Sequence, residues 1–238
     1  MKNSGINAGI TVFPGSNCDF DVFNVLKDIF NINVSFIWHK DKIRNYDDFD
    51  FIVIPGGFSY GDYLRSGALA ARSRVMDSLR NYSEKGGIIL GICNGFQILA
   101  EAGLLEGVLL TNSSLKFECG DVYLKTFNYE TPFTCAIEKD RVLKMPIAHH
   151  DGNYFAPERK IRSLIKDKGV IFKYSDIEGK ISADSNPNGS LLNIAGISNK
   201  RFNVMGLMPH PERASEMLLG SEDGGGIFKS IIKYIKER

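Results

Sequence analysis

The chain has 238 residues, with 29 Lys or Arg against 28 Asp or Glu, and its formal net charge is therefore +1. This balance argues against a general nucleic-acid-binding protein, which needs a basic excess to displace counterions. The 43% hydrophobic fraction excludes a disordered chain. No apolar run reaches the ~18–20 residues of a membrane-spanning helix, and no signal-peptide pattern stands at the N-terminus. The sequence therefore predicts a cytoplasmic protein.

Short β-type runs alternate with helical patterns in the first half of the chain. In chain order the sequence predicts a strand over residues 8–13, a helix over 19–30, strands over 34–38 and 51–54, a helix over 66–82, a strand over 88–92 and a helix over 94–102. This alternation is typical of an α/β fold with an open, mostly parallel sheet and helices on both faces.

The second half of the chain has a different pattern. Its short β-type runs predict antiparallel or mixed strands that add a smaller subsheet, and they cover residues 108–110, 122–127, 133–137, 146–150, 170–174, 191–197 and 204–208. An amphipathic helix over residues 227–236 follows. Because no internal repeat, low-complexity tract or linker divides the sequence, we expect a single domain over residues 1–238.

The four cysteines, at positions 18, 93, 119 and 135, include no C-x-x-C pair. The adjacent His149 and His150 lie next to neither a cysteine pair nor a third histidine at ligand spacing. The sequence therefore predicts no metal site, and a chain of this length without a secretory signal is not expected to carry a disulfide framework.

The pentapeptide Gly91-Ile92-Cys93-Asn94-Gly95 lies between a predicted strand and a predicted helix. It has the arrangement of the nucleophile elbow of G-x-S-x-G hydrolases, with Cys in place of Ser. A nucleophile on so tight a turn has strained backbone, and its neighbours two positions away must be small. We expect the thiol to project from the carboxyl edge of the sheet, where the N-terminus of the next helix favours thiolate. The alternative is a buried, inert cysteine.

The best candidate for a base that activates this thiol is His210, in the segment Pro209-His210-Pro211-Glu212-Arg213. The two prolines fix the local backbone and hence the direction of the imidazole. Glu212 can hold one ring nitrogen and leave the other toward the thiol, which would complete a Cys–His–Glu triad. Taken alone, His210 can equally be a turn histidine with an exposed glutamate beside it.

A triad that acts on a carbonyl also needs donors for the developing oxyanion. The Gly-rich segment 55–62 follows the predicted third strand, and Gly56 and Gly57 allow its backbone to approach a ligand closely. The N–H groups of Gly57 and of Asn94 are the candidate donors, although an ordinary Gly-rich turn is the alternative. The sequence contains neither a Walker loop nor a G-x-G-x-x-G pattern, so it predicts no nucleotide site in this chain.

Six segments together resemble the family of glutaminase subunits of phosphoribosylformylglycinamidine synthase, within the class I (triad) glutamine amidotransferases. They cover nearly the whole chain and comprise residues 13–19 (FPGSNCD), 55–65 (PGGFSYGDYLR), 91–99 (GICNGFQIL), 146–153 (PIAHHDGN), 186–196 (NPNGSLLNIAG) and 206–213 (GLMPHPER). The resemblance implies the class I amidotransferase fold, which is flavodoxin-like. Ser66 and the pair His150-Asp151 depart from the family pattern, where Cys and Gly-Glu are familiar.

The resemblance also implies a mechanism. Cys93 would attack the side-chain amide of glutamine, His210 would activate the thiol and protonate the departing ammonia, and Glu212 would orient His210. Gln97 would help to hold the amino-acid end of glutamine, and His150 lies in a segment expected to contact substrate.

The same family implies the partners. A larger synthetase subunit would use ATP and Mg²⁺ to aminate formylglycinamide ribonucleotide in purine biosynthesis, and a small third subunit would complete the assembly. This chain itself would need no cofactor. Two alternatives to this reading are a stand-alone Cys-dependent hydrolase or peptidase of similar fold and a non-catalytic binding subunit that keeps the fold.

Overall fold

The structure is a computed structural model that describes residues 5–238. Its strands are β1 (Asn7–Val12), β2 (Asn33–Trp38), β3 (Phe51–Ile54), β4 (Ile88–Ile92), β5 (Val108–Leu110), β6 (Glu118–Thr126), β7 (Val142–His149), β8 (Asn153–Phe155), β9 (Val170–Ser175), β10 (Ile194–Ser198) and β11 (Val204–Leu207). Its α-helices are α1 (Asp19–Asn24), α2 (Arg74–Glu84), α3 (Asn94–Glu101), α4 (Glu158–Lys166) and α5 (Gly225–Glu237).

Nine strands form one sheet in the order β2-β1-β3-β4-β11-β10-β9-β6-β7. The first five are parallel to one another, and the remaining four continue the sheet with antiparallel pairing. Strands β5 and β8 form a separate two-stranded antiparallel sheet. The predicted α/β fold with an antiparallel addition is confirmed. The prediction of a single domain over residues 1–238 stays a prediction.

The central strands are buried along their whole length because their sequences are continuous apolar runs. Every residue of β3, β4 and β11 is buried, as expected for parallel strands that are covered on both faces. Helix α3 contacts β3, β4 and β11, and α1 contacts β1. Within residues 5–238 no helix is both long enough and apolar enough to cross a bilayer.

The parallel pairing of β4 with β11 decides where the site lies. Gly91 pairs with Gly206 and Ile92 pairs with Leu207. The two strands run in the same direction and end at the same edge of the sheet. The segments that follow them carry Cys93 and His210, which are thereby brought together from distant parts of the sequence.

Some predicted elements differ from the structure. The predicted helix over residues 19–30 changes after α1 into a π-helical turn, Val25–Ile29. The helix predicted from residue 66 begins only at Arg74, because Ser73 has an extended backbone conformation. The strand predicted over residues 133–137 is wrong. This segment is a turn in which Thr131 and Thr134 share a 2.6 Å hydroxyl hydrogen bond while Phe133 is buried.

Two elements were not predicted, strand β8 and helix α4. Helix α4 is amphipathic and buries Ile161 and Leu164. Only three apolar residues mark its helical period among the polar and charged ones, and one of them, Ile165, is 50% exposed.

Candidate active site

Cys93 lies on a strained turn between β4 and α3, with φ 49° and ψ −105°. A non-glycine residue in such a conformation costs about 1–3 kcal/mol, and such strain clusters at functional sites. The flanking glycines make the turn possible. A Cβ atom at Gly95 would lie 2.0 Å from the carbonyl oxygen of Ile54, and one at Gly91 would lie 2.7 Å from the carbonyl oxygen of Gly95. The backbone N–H of Cys93 donates to Leu207 O at 2.8 Å, which ties the turn to β11.

His210 and Glu212 form a buried pair directly after β11. Nδ1 of His210 lies 2.6 Å from Oε1 of Glu212, and the two residues are only 2% and 1% exposed. The main-chain N–H of His210 donates to Pro146 O at 2.9 Å, which anchors the segment to β7. Pro211 begins a short 3₁₀ turn that presents Glu212 to the imidazole.

The electrostatics of this pair favour a charged imidazole. Burial lowers the pKa of His210, but the Glu212 carboxylate and the Cys93 sulfur outweigh burial, and the pKa lies well above its usual value. Within the described residues Nε2 of His210 has no hydrogen-bond partner. Nδ1 is occupied by Glu212, so Nε2 is the nitrogen available to the thiol.

Gly56 brings the backbone of the Gly-rich loop against these side chains. A Cβ atom at this position would lie 2.8 Å from Cε1 of His210, 3.0 Å from Sγ of Cys18 and 3.5 Å from Cβ of Cys93. The imidazole, the predicted nucleophile and Gly56 are therefore neighbours. Cys93 Sγ also lies 3.7 Å from Ala148 O on β7.

The two candidate oxyanion donors come from the Gly-rich segment and from the start of α3. Gly57 has φ 150° and forms a bridge with Ser16, and a Cβ atom there would lie 2.8 Å from the carbonyl oxygen of Gly15. Asn94 is the first residue of α3, where a main-chain N–H has no acceptor within its own helix. The side chain of Asn94 accepts a 3.1 Å hydrogen bond from Ser59 N and so links the two segments.

Gln97 lies one turn further along α3 in a polar network. Its Oε1 accepts from Asn94 Nδ2 at 2.8 Å, and its Nε2 donates to Asp151 O at 2.6 Å. Asn94 Nδ2 also lies 3.4 Å from Oδ1 of Asp62. This network places amide and carboxylate groups beside the nucleophile turn.

Asp62 and Asp151 add two neighbouring carboxylates to this network. Burial and the charge of Asp151 raise the pKa of Asp62 to about 6. Burial also acts to raise the pKa of Asp151, but hydrogen bonds from Ser66 and His150 outweigh it and the pKa falls below its usual value. Ser66 Oγ donates to Asp151 Oδ2 at 2.7 Å. The residue that departs from the family pattern at position 66 is thus tied to the one at position 151.

The two adjacent histidines have different surroundings. His150, the predicted substrate contact, has a half-exposed side chain whose Nδ1 lies 2.8 Å from Oδ1 of Asp151. His149 is buried, and burial together with His210 lowers its pKa to about 4. His149 faces inward because alternate residues of β7 are buried, so the inward position is 149 rather than 150.

Cys18 also belongs to the site, although its role was not predicted. It is 2% exposed and precedes α1. Its Sγ accepts a hydrogen bond from Arg213 Nη2 at 3.2 Å, while Arg213 Nε donates to Asp21 Oδ2 at 3.1 Å. Two sequence features mark Cys18: it lies in the segment 13–19 that carries the family resemblance, and it follows β1 at the same sheet edge as Cys93.

Comparison with known proteins gives consistent matches. A CobB/CobQ-like glutamine amidotransferase domain matches residues 6–225. Phosphoribosylformylglycinamidine synthase subunit PurQ of Pseudothermotoga lettingae is 54% identical over 233 residues, which is 98% of this chain and 97% of the relative. The subunit of the same name from Methanosarcina acetivorans is 50% identical over 228 residues, covering 96% of this chain and 97% of the relative.

Two solved structures extend the comparison. A chain of PurLQS from Thermotoga maritima is 45% identical, with a TM-score of 0.85 and coverage of 97% of this chain and 99% of that one. A glutamine amidotransferase from Thermotoga maritima matches at a TM-score of 0.58, covering 98% of this chain and 94% of that one. At 15% identity the second match shows the fold alone.

Proposed function

The chain belongs to the family of PurQ subunits of phosphoribosylformylglycinamidine synthase, which are glutamine amidotransferases, and from this we propose that it hydrolyses glutamine at Cys93 and supplies ammonia to a synthetase subunit. The family resemblance of the sequence motifs is confirmed by these relatives. One observation carries the assignment of the site: the buried His210–Glu212 pair adjoins a cysteine on a strained turn and leaves Nε2 of His210 without another partner.

The proposed reaction begins with proton transfer from Cys93 to Nε2 of His210. The thiolate attacks the side-chain amide carbon of glutamine, and the N–H groups of Gly57 and Asn94 stabilise the oxyanion. The imidazolium then protonates the former amide nitrogen, which departs as ammonia and leaves a γ-glutamyl thioester on the sulfur. Glu212 fixes the tautomer of His210 and stabilises its charged form.

The second half of the reaction releases glutamate. His210 takes a proton from a water molecule, the hydroxide attacks the thioester carbon, and the sulfur leaves as thiolate. Gln97 holds the amino-acid end of the substrate, within the network that it forms with Asn94 and Asp151. Every group that this reaction uses belongs to the chain itself.

The proposed partners are a synthetase subunit and a small third subunit, as in the PurLQS structure. The synthetase would use ATP and Mg²⁺ to transfer the ammonia to formylglycinamide ribonucleotide. Ammonia is protonated in neutral water and is then no longer a nucleophile, so its source must be sealed against its user. The four cysteines are all free thiols, which supports the cytoplasmic location that we propose.

Apolar side chains around the site support docking of the synthetase. Phe58, Tyr63, Leu64, Leu115 and Phe117 are all between 44% and 79% exposed, and the rings of Phe58 and Phe117 are 6.4 Å apart. Exposed apolar groups that cluster in this way mark interaction surfaces. Phe58 lies in the Gly-rich segment, and Tyr63 and Leu64 follow it directly. Leu115 and Phe117 lie in the segment between β5 and β6.

The nucleophile is tested in the assembled complex. Cys93→Ala should abolish glutamine-dependent synthesis and leave ammonia-dependent synthesis unchanged, since the synthetase then receives its nitrogen from solution. Loss of both activities in a complex that still assembles would contradict the proposal.

In the isolated wild-type chain, mass spectrometry should find a glutamine-mimicking electrophile on Cys93 alone among the four cysteines. Failure to label Cys93 would favour the non-catalytic alternative, and faster hydrolysis of peptides or esters would favour the stand-alone hydrolase.

The docking surface is tested by charge. Leu115→Asp should weaken association with the synthetase at least tenfold, while glutamine binding to the isolated chain stays unchanged. Ile165→Asp is the matched control, because Ile165 is 50% exposed on α4, where the adjacent Leu164 packs against Gly169 just before β9. Equal affinity of both variants for the synthetase would place the interface elsewhere.

A further inference from the structure

The mechanism described above leaves one buried cysteine without a task. Cys18 comes from the turn after β1, whereas His210 and Glu212 follow β11. A sulfur, a ring nitrogen and a carboxylate oxygen of these three residues all lie within 4.8 Å of one another. All three side chains are buried, with exposures of 2%, 2% and 1%. Sequence spacing could not indicate this cluster, because its members come from opposite ends of the chain.

The donor set has the chemistry of a zinc site. Zn²⁺ binds thiolate, imidazole and carboxylate with bonds of about 2.0–2.3 Å, usually with tetrahedral geometry and often with water as the fourth ligand. Ligand atoms around such an ion are about 3.5 Å apart. The widest separation in the cluster, up to 4.8 Å, has to shrink by about 1 Å, and the 2.6 Å contact between Nδ1 of His210 and Oε1 of Glu212 has to widen by about 1 Å.

Glu212 also offers a buried acceptor atom. Oε2 of Glu212 is buried and makes no hydrogen bond to any residue in the range 5–238. Oε1 of the same carboxylate is hydrogen-bonded to Nδ1 of His210 at 2.6 Å. A cation that replaces the hydrogen of this bond would be coordinated by the nitrogen, the carboxylate and the neighbouring sulfur.

The charges of the cluster match a dication. One thiolate and one carboxylate neutralise Zn²⁺, and the imidazole binds as a neutral ligand. Arg213 opposes the cation, because its Nη2 lies 3.2 Å from Cys18 Sγ, but Asp21 already holds the guanidinium at Nε. Without a cation, burial raises the pKa of the Cys18 thiol and keeps it protonated, so binding must release protons.

We propose that Cys18, His210 and Glu212 form a binding site for a thiophilic divalent cation, with Zn²⁺ as the reference ion, and that its occupation switches off the chemistry at Cys93. Coordination at Nδ1 of His210 leaves the ring proton of the neutral imidazole on Nε2. The lone pair that should accept the proton of Cys93 is then absent. The cation therefore inhibits the base without binding the nucleophile.

Binding is tested on the full chain with Co²⁺ as a spectroscopic probe and Zn²⁺ as competitor. Wild-type protein should bind one equivalent, with a sulfur-to-cobalt charge-transfer band that Zn²⁺ abolishes. Cys93→Ser should keep the band. Cys18→Ser and Cys18→Ala should lose it and bind Zn²⁺ at least tenfold more weakly, while Cys135→Ser, which removes a thiol beside α5, should behave as wild type. Unfolding by heat establishes that each variant is folded.

The opposite pattern would overturn the proposal. A band that survives both Cys18 substitutions and disappears in Cys93→Ser would mean that the cation simply binds the nucleophile. The absence of saturable one-to-one binding would mean that no site exists.

Inhibition gives an independent readout. Zn²⁺ should inhibit glutamine hydrolysis by wild-type protein at a concentration at least tenfold lower than for Cys18→Ala, and a chelator should restore the activity. Equal inhibition of both would refute the proposal. Because the binding assay works in Cys93→Ser, which lacks the thiol that the proposed reaction requires, it does not depend on the proposed function.

Discussion

Replacement of Gly56 by Ala tests the geometry of the site with a single methyl group. Gly56 has no left-handed backbone conformation, so alanine adds no backbone strain, and its effect is purely steric. The new Cβ would lie 2.8 Å from Cε1 of His210, whereas carbon atoms prefer separations of about 3.5–4.0 Å. The imidazole must therefore move by about 1 Å, although Glu212 and two flanking prolines hold it.

The expected result is a loss of rate in a protein that still folds. A misplacement of 1 Å at a reacting centre costs about 10²-fold, which corresponds to about 2.7 kcal/mol in the activation barrier. The overpacking itself should lower the free energy of unfolding by about 1–3 kcal/mol. The assay is kcat for glutamine hydrolysis together with urea unfolding at the same pH. Gly120→Ala is the control, because a Cβ atom there would have no neighbour within 4 Å.

Two outcomes would refute this reasoning. If Gly56→Ala keeps kcat within twofold of wild type, the imidazole does not need the position that the structure gives it. If Gly120→Ala loses activity to the same degree, the loss does not come from contact with His210.

Three further predictions concern the polar groups of the site. Glu212→Gln should lower kcat by about 10²–10⁴-fold and lower the pKa of His210, which NMR titration of the ring measures; an unchanged pKa would refute the role of the carboxylate. The pKa of Asp62 is raised from 3.8 to about 6, so the folded state binds more protons than the unfolded state between these values, and stability falls as pH rises through them. At pH 7.5, Asp62→Asn should therefore raise the free energy of unfolding by about 1 kcal/mol after solvent screening, whereas at pH 3.5 it should not. An equal effect on urea unfolding at both pH values would contradict this prediction. Asn112→Ala removes hydrogen bonds to His149 O and from Gly152 N. It should lower the free energy of unfolding in urea by about 2–3 kcal/mol and raise KM for glutamine. If both values are unchanged, the segment from His149 to Gly152 is held by other contacts.

The parts of the site that follow from local sequence could be predicted. The two glycines around Cys93 predict a tight turn, which requires small neighbouring residues. The two prolines around His210 predict that the direction of its imidazole is fixed. Their meeting follows from a general rule, because parallel strands deliver the residues after them to one edge of the sheet. These inferences depend only on the alternation of strand and helix patterns and on turn residues, and both can be recognised from short stretches of sequence.

The parts that depend on packing could not be predicted in the same way. The place of Cys18 against His210 results from how the turn after β1 packs on the segment after β11, and neither segment contains a sign of the other. The difference between His149 and His150 was available in principle. Counting alternate positions from Ile147 along β7 points His149 inward.

The composition of a segment gives a wrong prediction where apolar residues are buried without forming a strand. Residues 133–137 are β-type in composition, but hydroxyl hydrogen bonds of Thr131 and Thr134 close a turn there and Phe133 fills the core from it. An apolar run shows that a segment is buried, and the backbone hydrogen bonds decide whether it is a strand.

The position of β11 has a consequence for how the molecule gains activity during folding. This strand comes near the end of the chain, yet it pairs with β4 in the middle of the sheet and with β10 on its other side. A newly made chain therefore carries its nucleophile long before the base can reach it, and loop closure of this span is a slow, entropically costly event. Glutaminase activity should consequently be among the last properties to appear on refolding, and it reports the insertion of this one strand.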